Sequence, residues 1–439
     1  MLTYDDLTNG QKLAIDGAMD AISTKRHITI RGPAGTGKTT LTKFLLDRLF
    51  QTGQQGIVLA APTHQAKKEL SKHALRKAYT IQSLLKINPS TLEENQIFEQ
   101  KGTPDFSKIR VLICDEVSFY TRKLFNILMK TVPSHCVIIG IGDKAQIRGV
   151  SEDNETHELS PFFTDDRFSQ VELDEVKRHQ GPIIEVATDI RNGKWIYEKL
   201  DEHGNGVKQY HSVKDFLGVY FNRTKKPEDL FENRIMAYTN ASVDKLNAVI
   251  RKKLYGSDVA PFLPGEILVM QEPLMFEIDV GGQTLKEVIF SNGQNVQILN
   301  VKPSRKKLVA KNVGEIEVEY IMLECETHDE DEDDYKRAWF SVIADDNTAQ
   351  AISEFLSIIA DKYRSRAVFP AWKDFWAIKN TFTKVRPLGA MTFHKSQGST
   401  FKNAYLFTPC LHSYCRDPDV AQELIYVGNT RARENVGFV

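Results

Sequence analysis

An excess of charge of either sign is missing from this 439-residue chain: 57 Lys and Arg stand against 58 Asp and Glu, a formal net charge of -1. That balance excludes a global positive field, so any contact with nucleic acid must come from a local basic groove. Cysteine is scarce too. The five present have no paired metal-ligand spacing, which excludes a disulfide framework and points to a reducing compartment. Cys114 and Cys136 lie in apolar, strand-like runs and read as small core residues. The stretch Cys410 to Cys415, with His412 inside it, has no second Cys/His pair nearby and is read as structural, not as a zinc site. No apolar run reaches the length needed to span a bilayer and the N-terminus is polar and acidic, so a cytosolic location without membrane contact is expected. Internal repeats and low-complexity tracts are also absent.

What is present is 41% hydrophobic and 26% charged, the composition of a globular protein long enough for two core domains plus insertions. The most specific segment is Gly32-Pro33-Ala34-Gly35-Thr36-Gly37-Lys38-Thr39, which follows the β-like run His27 to Arg31 and opens an amphipathic helix read as Thr40 to Phe50. Strand, glycine-rich turn and helix together make a nucleoside-triphosphate phosphate loop. Its glycines let backbone N–H groups face phosphate oxygens, and the helix N-terminus, with Thr40, adds a favourable dipole. Lys38 reaches the β- and γ-phosphates, and Thr39 supplies a hydroxyl to Mg²⁺. ATP and Mg²⁺ are the expected cofactors.

Short apolar runs at Ile57 to Ala60, Val111 to Cys114 and Val137 to Gly140 alternate with helical stretches, the pattern of a buried parallel sheet in an α/β fold. The first such domain is assigned to residues 1–85 and 109–190. Asn88-Pro89-Ser90 and Gly102-Thr103-Pro104 break the rhythm and mark residues 86–108 as an inserted hairpin. A second α/β domain is assigned to residues 191–254 and 380–439, divided by a β-rich insertion with a helical extension at 255–379. Within that insertion, Arg305-Lys306-Lys307 and the acidic run Asp329 to Asp334 are expected to be solvated loops.

Asp115 and Glu116 directly follow the run Val111 to Cys114, at the sheet edge where the phosphate loop also points. Asp115 is the expected Mg²⁺ ligand, and Glu116 the base that orients and deprotonates water. Gln146 could sense the γ-phosphate. Arg178 and Arg431 are candidates for stabilising charge on the transferring phosphoryl group. Thr63, His64, Asn240, Thr392, His394 and Lys395 follow strand-like runs and offer donors, a positive charge and aromatic stacking to a single strand. Taken singly, each could be an ordinary cap or surface residue.

In their order along the chain these elements resemble superfamily 1 helicases. The resemblance adds Ala61-Pro62-Thr63-His64, Gly142-Asp143-Lys144-Ala145-Gln146, Val176-Lys177-Arg178, Thr392-Phe393-His394-Lys395-Ser396-Gln397-Gly398-Ser399 and Tyr426-Val427-Gly428-Asn429-Thr430-Arg431-Ala432-Arg433. The Lys-Ser-Gln-Gly and Tyr-Val-x-x-Thr-Arg-Ala patterns are similar to the RecD/Pif-like branch, and within it to a helicase of tailed bacteriophages. That implies two RecA-like motor domains, a pin hairpin in the first and an SH3-like insertion in the second. It implies ATP-driven movement 5′ to 3′ on single-stranded DNA and unwinding at duplex junctions. The setting implied is phage replication or recombination in the cytoplasm of an infected bacterium, with displacement of bound proteins and phage single-strand-binding and recombination proteins as partners. By the same resemblance Gln11 reads adenine, Gly398 lies by the nucleotide, and Phe98 is either a wedge against the duplex or part of the hairpin core. Thr400 stands where many relatives carry an acidic residue that touches the sugar. Two rival readings stay open: an ATP-switched single-strand-binding protein that does not unwind, and an RNA helicase.

Overall fold

The computed structural model describes residues 3–89, 98–100, 103–150, 157–173, 181–256, 260–280, 283–328, 335–343 and 345–439. It divides into two compact units, one holding two six-stranded sheets and the other spanning Asp244–Gly389.

Val111–Cys114 and Val137–Gly142 are buried at every position, a burial that only a sheet covered on both faces can provide. They sit at the centre of six parallel strands in the spatial order Phe168–Glu172, His27–Arg31, Val137–Gly142, Val111–Cys114, Ile57–Ala61, Ala78–Thr80. The helices Asn9–Thr24 and Lys38–Gln51 bury Ala14, Ile15, Ala18, Leu41, Leu45 and Leu49 in one core. A separate core holds Tyr120, Phe125, Phe162 and Phe168, with edge-on ring contacts at 5.0 to 5.1 Å. Parallel strands put all carboxyl ends on one edge, so the loop after Arg31 and the acids after Cys114 open on the same side.

The second sheet runs Lys199–Leu200, Gly206–Gln209, Ala432–Phe438, Phe401–Leu406, Asn233–Ala237, Ala390–Thr392, all parallel except the first pair. The helix Pro182–Arg191 differs from expectation. Placed by sequence with the first sheet, it buries Ile183, Val186, Ala187 and Ile190 in one core with Val207, Leu424 and Val427 of the second. Its apolar stripe finds its partner in the helix Pro418–Thr430, more than two hundred residues downstream, a pairing that periodicity cannot reveal.

In the other unit an antiparallel sheet has the order Arg337–Val342, Gly314–Thr327, Asn295–Ala310, Ile267–Met270, Val385–Pro387, beside the hairpin Leu274–Val280/Gln283–Phe290. Val385–Pro387, expected in the second α/β domain, pairs here with Ile267–Met270 instead. The two long central strands serve two cores. One end packs Val296, Ile298 and Leu323 with Phe290 and Phe340, and the other packs Leu308 and Val318 with Phe355, Ile359 and Phe375 of two helices. Arg305-Lys306-Lys307 is therefore strand and not loop, with Arg305 opposite Glu319 at 2.6 Å and Lys307 bonded to Glu315 at 2.8 Å. Both pairs are exposed, where solvent screening leaves an ion pair little net stabilisation. The acidic run 329–334 lies outside the described residues. In the first unit Ile87–Pro89 pairs antiparallel with Phe98–Gln100, Phe98 opposite Pro89, which makes the expected inserted hairpin.

Candidate active site and nucleic-acid interface

The phosphate loop is held from three sides. Gly32 donates to the Gly142 carbonyl at 3.0 Å, tying the loop to the end of the neighbouring strand. Gly37 caps the following helix in the left-handed region at φ 74°, where a Cβ would lie 2.6 Å from Gln11 Nε2. Helical geometry thus begins at Lys38, two residues before the expected start. Gln11 is buried, and its Nε2 donates to the Thr36 carbonyl at 2.9 Å while its Oε1 accepts from Thr8 N at 3.0 Å. In this structure the residue expected to read adenine braces the loop.

Lys38 Nζ donates to the Gly32 carbonyl at 2.7 Å and the Pro33 carbonyl at 3.0 Å. An ammonium has three donors, so the third remains for an anion between the loop and the helix N-terminus. Thr39 is exposed in the first helical turn.

Asp115 and Glu116 leave their strand through a strained turn. Glu116 takes φ 49° and ψ 47°, a left-handed conformation that costs a non-glycine residue about 1–2 kcal/mol. Asp115 Oδ1 accepts from the Glu116 N–H at 2.9 Å, and Glu116 Oε2 is buried with no hydrogen-bond partner among the described residues. Burial and then the Glu116 charge push Asp115 up to about 7, against the opposing pull of the Glu116 N–H and Lys38. A half-buried carboxylate pair and an orphaned carboxylate oxygen fit a divalent cation.

A raised carboxyl pKa stabilises the fold most below the unfolded value of 3.8, and that contribution is lost as pH rises through about 7. In cation-free buffer, the melting temperature of the wild type relative to Asp115→Asn should therefore fall between about pH 4 and about pH 7 and level off above it. Added Mg²⁺ should reverse the fall. A difference flat in pH would remove the assigned burial of charge.

Residues of the second sheet close on this cluster. Gln146 is buried, and its Oε1 accepts from Gln397 Nε2 at 2.7 Å; the same Nε2 lies 3.2 Å from Ser118 Oγ. Tyr426 donates its hydroxyl to Asp143 Oδ2 at 2.6 Å and accepts from the Ala34 N–H of the phosphate loop at 2.9 Å. Arg148 Nε meets Glu423 Oε1 at 2.7 Å. Arg431 is buried and turned onto its own helix end, donating from Nε to the Val427 carbonyl, from Nη1 to the Ser399 carbonyl and from Nη2 to Thr430 Oγ1. Burial lowers its pKa, while the charge of Glu116 acts in the opposite direction. Three of its five N–H donors are used, leaving two. Gly398, at φ 78°, is glycine because a Cβ would come within 3.0 Å of Ala66 on the helix His64–Ala74; the structure gives it this packing role. Arg178 lies outside the described residues.

These arrangements can be compared with known proteins. Residues 259–387 match the family of Dda helicase SH3 domains, residues 6–209 an AAA domain and residues 387–439 a UvrD-like helicase C-terminal domain. Over 445 residues, covering all of both chains, the sequence is 50% identical to the ATP-dependent DNA helicase dda of Enterobacteria phage T4. The chain belongs to the Dda helicase family. This Dda-family chain is also 22% identical over 474 residues to the RecBCD enzyme subunit RecD of Buchnera aphidicola subsp. Acyrthosiphon pisum (strain APS), covering 97% of this chain and 71% of that one. Its fold is similar to that of Pif1 helicase from Bacteroides in complex with ADP-AlF3 and ssDNA, with a TM-score of 0.51, 17% identity, and coverage of 98% of this chain and 92% of that one.

In this Dda-family chain the residues expected to meet DNA fall at corresponding places in the two sheets. Thr63 follows Ile57–Ala61 and its Oγ1 accepts from Ala66 N at 3.1 Å, capping the helix that begins at His64. Thr392 ends Ala390–Thr392 and accepts from Lys395 N at 3.2 Å. Asn240 and Lys395 are exposed, His394 is half-buried, and its ring lies 6.4 Å from that of Tyr238. Sequence reasoning missed two further caps. Thr80 pairs with Ala61 and accepts from Ser83 N at 3.2 Å, and Thr239 accepts from Ser242 N at 3.1 Å. Each sheet therefore presents two threonine-capped N-termini at the carboxyl ends of two adjacent strands. Thr followed by an apolar-periodic run was the available signal. Tyr426 and Gln397, both inside quoted motifs, also went unassigned, as did Ser118, two residues beyond the acidic pair. The Phe98 side chain is not among the described features.

Proposed function

We infer that this protein is an ATP-dependent DNA helicase that moves 5′ to 3′ along single-stranded DNA and separates the duplex ahead. The observation that carries this is the direct bonding of Gln397, Glu423 and Tyr426 in the second half to Gln146, Arg148, Asp143 and the phosphate loop in the first. Nucleotide chemistry at the loop cannot change without moving the second sheet. Each sheet presents its threonine caps at one edge, so a change in the spacing of the two halves becomes a change in grip on a strand.

Within this reading Thr39 and Asp115 would hold Mg²⁺, which would supply positive charge beside the phosphates. Lys38 directs its third donor to the phosphate oxygens. Glu116 takes the proton of the attacking water through the oxygen that lacks a partner, and Gln146 and Arg431 face the charge that develops as the bond breaks. Thr63 and His64 grip the strand from the first half, and Asn240, Thr392, His394 and Lys395 from the second. The hairpin Ile87–Pro89/Phe98–Gln100 is the pin, with Phe98 at the duplex. Single-stranded DNA and duplex junctions are the substrates, and phage single-strand-binding and recombination proteins in the infected cell's cytoplasm the partners.

The test is unwinding of a duplex with a single-stranded tail on either the 5′ or the 3′ side, with Mg·ATP. Strand separation only from the 5′ tail is expected. Preference for the 3′ tail would reverse the polarity, DNA-stimulated hydrolysis without separation would favour the ATP-switched binding protein, and strong preference for RNA would replace the substrate.

A further inference from the structure

Gln146 belongs to the first half by chain order, yet it is held in place by the second. It follows the turn that leaves Val137–Gly142, where the Gly142 carbonyl accepts from Gly32 of the phosphate loop. Its Oε1 accepts from Gln397 Nε2 at 2.7 Å, which leaves its own N–H groups for an anion. The next residue, Ile147, is wholly buried in one core with Val186, Leu424 and Val427 of the second half. Arg148 then donates twice to Glu423, from Nε to Oε1 at 2.7 Å and from its backbone N–H to Oε2 at 3.4 Å.

Glu423 lies in the second turn of the helix Pro418–Thr430, and its side chain is only 11% exposed. A carboxylate taken this far out of water needs a partner, and Arg148 is that partner. One turn further along the same face, Tyr426 donates to Asp143. The helix therefore grips this segment on both sides of Gln146. It also carries Arg431 at its C-terminal end, and its residues from Leu424 to Asn429 are all buried, so it acts as one rigid piece. Both Gln146 and Arg431 lie by the acidic pair. Gln397 Nε2, bonded to Gln146, is also 3.2 Å from Ser118 Oγ, two residues beyond Glu116, and the Glu116 charge acts on Arg431.

We propose that Glu423 is a positioning residue for hydrolysis: through Arg148 it fixes the segment bearing Gln146 onto the helix bearing Arg431, so that both groups meet the terminal phosphate of ATP in one register. The assignment rests on the roles given to Gln146 and Arg431 above. Among the described residues neither Glu423 nor Arg148 bonds to the phosphate loop. The pair therefore sets the rate of the chemical step and leaves nucleotide affinity alone.

The experiment measures kcat and KM for ATP at saturating single-stranded DNA, with a thermal melt of each variant. Glu423→Ala removes both bonds and should lower kcat about 10- to 100-fold, the scale on which a displacement of about an ångström acts on a preorganised site, with KM unchanged. Glu423→Gln, which keeps an acceptor for Arg148, should lose less, and it carries the test if Glu423→Ala does not fold. In a Gln146→Ala background either change should lower kcat by no more than about twofold further, because the group being positioned is already gone. Additive losses overturn the proposal, as does wild-type kcat in Glu423→Ala with a lowered melting temperature, the mark of a merely structural pair. A raised KM overturns it too, because Glu423 would then serve nucleotide binding. Failure of the underlying reading looks different: Gln146→Ala and Arg431→Ala would each turn over ATP at the wild-type rate.

Discussion

Lys38→Ala abolishes ATP turnover, with a fall of at least about a hundredfold expected from the loss of a preorganised cation at the transferring phosphoryl group. The effect should be large because Lys38 does two things at once. Its ammonium closes the loop on the Gly32 and Pro33 carbonyls, and its third donor is the one side-chain charge that the loop itself provides to phosphate. Both the ATP and the ADP affinities should therefore weaken along with turnover. Steady-state phosphate release with and without single-stranded DNA, combined with nucleotide titrations, checks the result. Turnover at the wild-type rate would remove the loop from the reaction.

Glu116→Gln should be as severe in turnover but should spare binding. The substitution keeps the shape of a residue already held in a left-handed turn, and it removes only the basic oxygen, for which general-base loss costs about a hundredfold to ten-thousandfold. The buried Oε2 without a partner is the atom at stake. The variant should also relieve Asp115, whose carboxyl is pushed up partly by the Glu116 charge. Single-turnover hydrolysis separates the two outcomes. A normal chemical step in Glu116→Gln would pass the role of base to another group, whereas lost hydrolysis with retained nucleotide affinity supports the assignment. Weakened affinity in Lys38→Ala against retained affinity in Glu116→Gln distinguishes phosphate contact from water activation.

The legibility of the site follows from how local its parts are. The phosphate loop and the acidic pair each sit within a few residues of a buried strand, so strand, turn and chemistry can be read together. The inserted hairpin was legible for the same reason, since Pro and Gly bracket it and its strands are close in sequence. The helix Pro182–Arg191 was not, because an amphipathic stripe states that a partner exists without naming it. The charged strand at Arg305 to Lys307 was misread as a loop because its stabilising contacts come from a facing strand and from helices beyond Asp345.

By itself the sequence determined the two parallel sheets, the β-rich insertion and the groups that handle phosphate, because short apolar runs, a glycine-rich turn and acids at a strand end depend on neighbours along the chain. Only the tertiary structure decided what those groups touch. Gln11 bracing the loop through Thr36, Gln397 on Gln146, and Tyr426 between Ala34 and Asp143 join residues separated by 25, 251, 392 and 283 positions. A side-chain hydrogen bond is fixed to within a few tenths of an ångström by the packing around both partners, and that packing exists only once the chain has folded.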